Sequence, residues 1–270
     1  MVHPVTFDLG PALLFCPADR PERYAKALDR ADAVIIDLED AVSPAAKAEA
    51  RESLIAHPLD PARTIVRVNH AGTDDHELDL AAIDSTDYRY VMLAKTSGAR
   101  DLDRLGDYSV IALCETASGI VNAAAIAAVD AVVGLMWGAE DLVASLGGSS
   151  SRRDDGRYRD VAAHARSTVL LAARAHGKAA VDSVYVDIPD LPGLAAEAAD
   201  AAAVGFTATA CIHPDQVATI RAAYAPSPEQ LSFARDLLAA AEHERGVFTF
   251  RGRMVDEPVL VHARTVLRRG

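Results

Sequence analysis

Residues 33–69 read AVIIDLEDAVSPAAKAEARESLIAHPLDPARTIVRVN. The stretch opens on an apolar run, AVIIDLE (33–39), and closes on another, TIVRVN (64–69). Between them PAAKAEARESLIAH (44–57) follows Ser43 with helical periodicity. Strand, helix and strand in that order make one βαβ unit, whose helical crossover sets the two strands parallel.

The pattern recurs along the chain. Similar runs are ALLFCPA (12–18), YRYVMLAK (88–95), SVIALCET (109–116), AVVGLMWGAE (131–140), AAVDSVY (179–185) and TATACIHP (207–214). With the first two they give eight candidate strands, each followed by a candidate helix; PERYAKALDRA opens on Pro21 and LAAEAADAAAVG closes on Gly205. The runs are continuously apolar, so both faces of each strand need covering. Eight such units in series predict a (β/α)8 TIM barrel over residues 1–224. GGSSSRRDDGRY (147–158) is the most loop-like segment, read as a βα loop directly after the sixth strand, where a lid could sit.

A C-terminal extension, 225–270, follows. SPEQLSFARDLLAAAEHE reads as a helix with Ser227 as N-cap and Gln230 completing a capping box. GVFTFRGRMVDEPVLVHARTVLRR then predicts an extended piece, a turn at Arg251 and Gly252, and a closing helix. This tail is expected to cover the barrel mouth or to reach a neighbouring subunit.

Half of the 270 residues are apolar and the formal charge is −12. A large core is therefore available, and so acidic a surface repels phosphate backbones and anionic lipids, so neither nucleic acid nor membrane is an expected partner. Cys16, Cys114 and Cys211 lie almost a hundred residues apart. That spacing suits three buried thiols in a reducing compartment and neither a zinc knuckle nor a disulfide framework. MVHPVTFDLGPALLF has no basic region ahead of a long apolar core, and the expected location is cytoplasmic.

Charge collects late in the strands. Asp37 and Glu39 share a face with Ile35, Arg67 and Asn69 share one with Ile65, and Glu115 follows Ile111 and Leu113 at spacing two. Lys95, Glu140 with Asp141, Asp182 and His213 stand near the ends of strands four, six, seven and eight. Any one of these could cap a helix or pair at the surface, but the set predicts a charged ring at one barrel mouth. Carboxylates without a His or Cys cluster favour a hard cation, Mg2+ or Mn2+. Glu115 and Asp141, on adjacent strands, are the natural ligand pair, with Glu39 and Asp40 behind them holding waters or orienting Arg67. A Schiff base through Lys95 is disfavoured, because nearby acids keep an ammonium protonated. Phosphate-loop, nucleophile-elbow and zincin motifs are all missing from the sequence.

LLFCPADRPERYAKA (13–27), VIIDLEDAV (34–42), IVRVN (65–69), CETASGIVNAAAIA (114–127), WGAEDLVASLGG (137–148), CIHPDQV (211–217) and GRMVDEPV (252–259) together resemble the citrate lyase beta-subunit-like (CitE-like) branch of the HpcH/HpaI aldolase/citrate lyase family. The resemblance spans nearly the whole chain. It implies a Mg2+-dependent carbon–carbon lyase that cleaves a 3-hydroxyacyl-CoA (malyl-, citramalyl- or 3-hydroxy-3-methylglutaryl-CoA-like) to acetyl-CoA and a 2-oxo acid, or condenses them. Carried over, Glu115 and Asp141 are the metal ligands, Arg67 grips the 2-oxo acid, and Glu39 with Asp40 lies beside the metal. Asp256 resembles an aspartate that related lyases borrow from a neighbouring subunit, implying a homotrimer or hexamer. Arg20 is the implied coenzyme A phosphate contact, with Pro17 and Lys95 grouped beside it. Where family members commonly show Pro-Lys and then Glu, this chain has LAKTSGAR (93–100). Two other readings stay open: a metal-dependent aldolase of free 4-hydroxy-2-oxo acids, and a citrate lyase beta subunit acting on a carrier-protein thioester.

Overall fold

Eight parallel strands close, in sequence order, into a barrel: β1 (Ala12–Pro17), β2 (Ala33–Asp37), β3 (Thr64–Val68), β4 (Tyr90–Leu93), β5 (Ser109–Cys114), β6 (Val132–Trp137), β7 (Ala179–Asp182) and β8 (Ala208–Cys211). The computed structural model describes residues 7–244 and 246–270; the first six residues of the N-terminal stretch read above lie outside them. Around the strands run α1 (Tyr24–Arg30), α2 (Lys47–Ala56), α3 (Asp74–Ile83), α4 (Ala117–Val121), α5 (Ala123–Ala127), α6 (Ala139–Ser145), α7 (Asp160–Ala175), α8 (Leu191–Val204) and α9 (Gln216–Tyr224). The barrel predicted from the apolar runs is the one observed, and every residue of β2 and β6 is buried, as strands covered on both faces require.

Three local expectations need correction. β4 is followed by a 3-10 turn at Ala99–Leu102 and no α-helix, and β5 by two one-turn helices, α4 and α5. The Gly/Ser/Arg segment 147–158 does not come directly after β6, because α6 intervenes. The apolar run places residues 138–140 in the sixth strand, but the strand ends at Trp137 and the acidic residues after it favour the first turn of a helix.

Inside the barrel Leu13, Ala33, Ile35, Ile65, Met92, Ile111, Leu113, Val133, Met136, Val181, Ala208 and Ala210 form one apolar core. Strand register stacks these side chains in layers: Ile35 pairs with Ile65 and, two residues on, Asp37 pairs with Arg67. β6 departs from simple alternation. Its pairing with β5 jumps from Val110↔Val132 to Ile111↔Gly134, so Val133 is an extra residue and the inward series resumes at Met136.

The chain divides into two compact units, Met1–Ile220 and Arg221–Gly270. In the second, α10 (Pro228–Ala241) begins at the capping box of Ser227 and Gln230. A hairpin of β9 (Phe248–Phe250) and β10 (Arg253–Val255) turns at Arg251 and Gly252, and α11 (Glu257–Arg269) closes the unit. Ala234, Leu237, Val255 and Ala263 make its core.

Candidate active site

Counting two residues beyond the last inward apolar side chain of every strand but β4 reaches the C-terminal mouth. Phe15 follows Leu13, Asp37 follows Ile35, Arg67 follows Ile65, Glu115 follows Leu113, Gly138 follows Met136, Ser183 follows Val181 and Ile212 follows Ala210. All seven line one cavity of about 200 Å3, joined by Glu140 and Asp141 from the first turn of α6. The site is thus the continuation of the core's own layering, with polar groups replacing apolar ones.

Asp37 and Arg67 are neighbours in register, and the guanidinium grips the carboxylate with two hydrogen bonds, 2.7 and 2.5 Å. Arg67 also approaches Glu39 at 3.3 Å and stacks over Phe15 at 4.9 Å. Asp37 is 1% exposed and its remaining capacity accepts the backbone N–H groups of Glu39 and Ala41. Burial alone opposes the Arg67 cation, but the charge and hydrogen bonds of Asp37 outweigh it and the pKa is raised. Lys95 supplies a second cation. Its ammonium bonds Glu39 and Asp40, the latter at 2.9 Å, and stands 3.8 Å from Asp141. Burial disfavours this ammonium as well; the hydrogen bonds to Glu39 and Asp40 prevail and its pKa is raised, which disfavours the neutral amine that Schiff-base chemistry needs.

Behind the mouth a buried network fixes the loop that carries Glu39 and Asp40. Lys47 of α2 donates to the carbonyls of Leu38 and Glu39 and to Asn69 Oδ1, using all three of its protons. Asn69 donates in turn to Leu38 O and Asp79, and Asp79 is held by Arg51 at 2.7 Å. Asn69 therefore serves this support and does not share the inner face with Arg67.

Glu115 is 3% exposed and faces Asp141 across the cavity floor. Burial first, and then the charge of Asp141, push its carboxyl up to about 8. Its Oε1 accepts the backbone N–H of Lys95 at 3.0 Å. Lys95 has a left-handed backbone, φ 51°, which for a residue with a side chain costs about 1–2 kcal/mol. Gly138 makes room on the other side: a Cβ there would lie 2.7 Å from Glu115 Oε2 and 2.9 Å from its Cβ. Six carboxylates (Asp37, Glu39, Asp40, Glu115, Glu140, Asp141) face two cations at this mouth, and the excess negative charge suits a divalent cation on Glu115 and Asp141. Among the described residues no group of three or more His, Cys, Asp or Glu side chains is placed to enclose a metal ion. A hard cation that takes one or two carboxylates and leaves its other positions to water or substrate fits such a pair.

Five adjacent strands, β2 to β6, contribute the charged ring through Asp37, Arg67, Lys95, Glu115 and Asp141; the expected contributions of strands seven and eight do not arrive. Asp182 points to the helix layer, where Trp137 Nε1 and Arg166 hold it, and His213 sits half exposed beside Asp215. Arg20 is an exposed residue near Asp19 and lines neither this cavity nor the next. That second cavity, about 480 Å3, shares Phe15 and Ile212 with the first and is bordered by Pro17, Arg23, Lys26 and Arg30. Lys95 is not on it. Asp256 is the N-cap of α11 and accepts the N–H of Val259 at 3.4 Å. Phe15, Gly138, Ser183 and Ile212 escaped the sequence reading because they carry no charge, although the spacing of two that marks Glu115 marks them equally. The three cysteines are buried thiols outside any disulfide, as their spacing suggests.

Residues 12–214 match the HpcH/HpaI aldolase/citrate lyase family. The chain belongs to this family. Among HpcH/HpaI members, the citrate lyase subunit beta-like protein of Mycobacterium tuberculosis is 60% identical over 260 residues, covering 96% of this chain and 95% of that protein. The mitochondrial citramalyl-CoA lyase of Mus musculus is 31% identical over 293 residues, covering 95% of this chain and 84% of that protein. The crystal structure of CitE from M. tuberculosis in complex with magnesium, acetoacetate and coenzyme A superposes with a TM-score of 0.92 at 60% identity, over 96% of this chain and 97% of that one. No helix of the described residues is long and apolar enough to cross a membrane.

Proposed function

We propose that the protein is a Mg2+-dependent carbon–carbon lyase acting on a 3-hydroxyacyl-CoA, releasing acetyl-CoA and a 2-oxo acid or running the reverse condensation. The observation that carries the reading is the facing carboxylates Glu115, buried, and Asp141, half-buried, neither hydrogen-bonded by a lysine or arginine side chain and the nearest cation being Lys95 at 3.8 Å from Asp141, beside an arginine already oriented by Asp37. Relatives of the same family that bind magnesium with coenzyme A, or cleave citramalyl-CoA, support it.

In this reading Glu115 and Asp141 hold the ion, which when bound acts as a Lewis acid toward the oxygens of the substrate. Arg67 receives the carboxylate of the 2-oxo acid; its fixed fork offers directional hydrogen bonds that a lysine would not. The cavity above the core suits so small an acid, while the second cavity, with Arg23, Lys26 and Arg30 on its border, takes the phosphates of coenzyme A. Arg20 gives way to these three because they line the groove and it does not. Asp256, offered by a neighbouring subunit of a homotrimer or hexamer, exchanges a proton with the methyl carbon of acetyl-CoA. Lys95 keeps Glu39 and Asp40 neutralised.

The test is acetyl-CoA release, followed by mass spectrometry, from malyl-, citramalyl- and 3-hydroxy-3-methylglutaryl-CoA with Mg2+ and with EDTA, beside a free 4-hydroxy-2-oxo acid. Metal-dependent release from one thioester is the expected result and names the substrate. Cleavage of the free acid alone overturns the thioester reading in favour of an aldolase, and silence on all four overturns the free-standing enzyme.

A further inference from the structure

Lys95 touches both acidic groups of the mouth, and does so with two different parts of the residue. Its ammonium is bonded to Glu39 and Asp40, while its backbone N–H is bonded to Glu115. Both contacts at once depend on the left-handed backbone, φ 51°. Glycine adopts that conformation freely but would leave Asp40 without its cation and Glu39 with Arg67 alone. An outlying backbone at a charged mouth is therefore coupled to a side chain that no freer residue could replace.

We propose that Lys95 partitions the mouth carboxylates, reserving Glu39 and Asp40 for its own ammonium and leaving Glu115 and Asp141 as the cation pair. This rests on the reading of Glu115 and Asp141 as metal ligands. Among the described residues no three of the mouth carboxylates are placed to enclose one ion while Lys95 holds Glu39 and Asp40; freed of it, those two could turn toward a cation on Glu115 and Asp141, which would then be bound more tightly and lose open positions. An ammonium 3.8 Å from Asp141 repels that cation at the same time as it occupies the competing ligands. Lys95 is thus a positioning residue: it sets how strongly the ion is held and how many of its positions remain for substrate.

The experiment is Mn2+ titration by calorimetry and by electron paramagnetic resonance on the full chain, with no substrate present. Wild type is expected to bind one ion, lost in Glu115→Gln. Lys95→Gln is expected to bind Mn2+ at least about tenfold more tightly, since one positive charge is removed 3.8 Å from Asp141, one of the two proposed ligands. Adding Asp40→Asn to that variant is expected to return most of the gain, and Lys95→Arg, which keeps the charge, to stay within about threefold of wild type. Lys95→Gly, which favours the same backbone, replaces Lys95→Gln if the latter fails to fold. Wild-type binding abolished by Glu115→Gln, together with unchanged or weaker binding in the Lys95 variants, overturns the partition and leaves the metal site standing. No binding to wild type, or binding that survives Glu115→Gln, overturns the metal site and the partition with it.

Discussion

Glu115 makes cation binding and protonation compete for one carboxylate. Burial and Asp141 raise its pKa from 4.5 to about 8, so at pH 7 most of the ion-free protein is expected to carry the proton there. Binding a divalent cation requires the carboxylate, and the proton must leave. The expected release is about 0.9 proton per ion at pH 7, about 0.5 at pH 8 and about 0.1 at pH 9, and the apparent affinity falls about tenfold per pH unit below 8. Stability carries the same linkage with the opposite sense. Between pH 4.5 and 8 the ion-free native state holds a proton that the unfolded chain has lost, so native stability declines as pH rises through that window. The full shift corresponds to about 5 kcal/mol as an upper bound, and saturating Mg2+ abolishes it. Calorimetry at pH 7 in buffers of different ionisation enthalpy counts the protons, and urea denaturation at pH 5 and pH 8, with and without Mg2+, measures the stability term. Ion binding at pH 7 without proton release refutes the assignment of the raised pKa to Glu115.

Arg67→Met leaves Asp37 buried without its cation, and a loss of about 3–5 kcal/mol in urea denaturation is expected, with loss of 2-oxo acid binding. Arg67→Met with Asp37→Asn regains most of the stability but none of the binding, which separates the two roles of the arginine. Gly138→Ala forces Glu115 to move, since the new Cβ meets it at 2.7 Å; Mg2+ affinity is expected to fall by about tenfold or more, with far-ultraviolet circular dichroism unchanged. If Asp256 is shared across subunits, mixing inactive Asp256→Asn and Arg67→Ala chains restores part of the activity once subunits exchange; exchange without recovery counts against sharing.

The barrel was legible because its evidence is repeated eight times: each apolar run is long enough to be a strand and too continuous to have an exposed face. Arg67, Glu115 and Asp37 were legible for a related reason, each standing two residues beyond an apolar side chain that must point inward. Asp182 shows the limit of that reading. It ends an apolar run as Glu115 does, yet Val181 takes the inward position and Asp182 turns to Arg166 on α7, a partner sixteen residues away whose direction no local pattern fixes. Asn69 misleads in the same way, because its partners Lys47 and Asp79 come from two different helices. Nor does the sequence disclose that Lys95 adopts a left-handed backbone, since that conformation follows from tertiary contacts with Glu39, Asp40 and Glu115 and not from propensity.

The extra residue in β6 ties the length of that strand to the shape of the mouth. Val133 shifts the alternation so that Met136 and Gly138 face inward while Trp137 turns outward to Asp182. Deleting Val133 would only remove the bulge, but inserting one residue between Gly134 and Met136 would exchange the two faces from that point on. An indole would then enter the space beside Glu115, where not even a methyl group fits. Over residues 134–138 a single-residue insertion is consequently more damaging than most substitutions. Divergence in this lineage is expected to leave the spacing of β6 untouched even where its composition drifts.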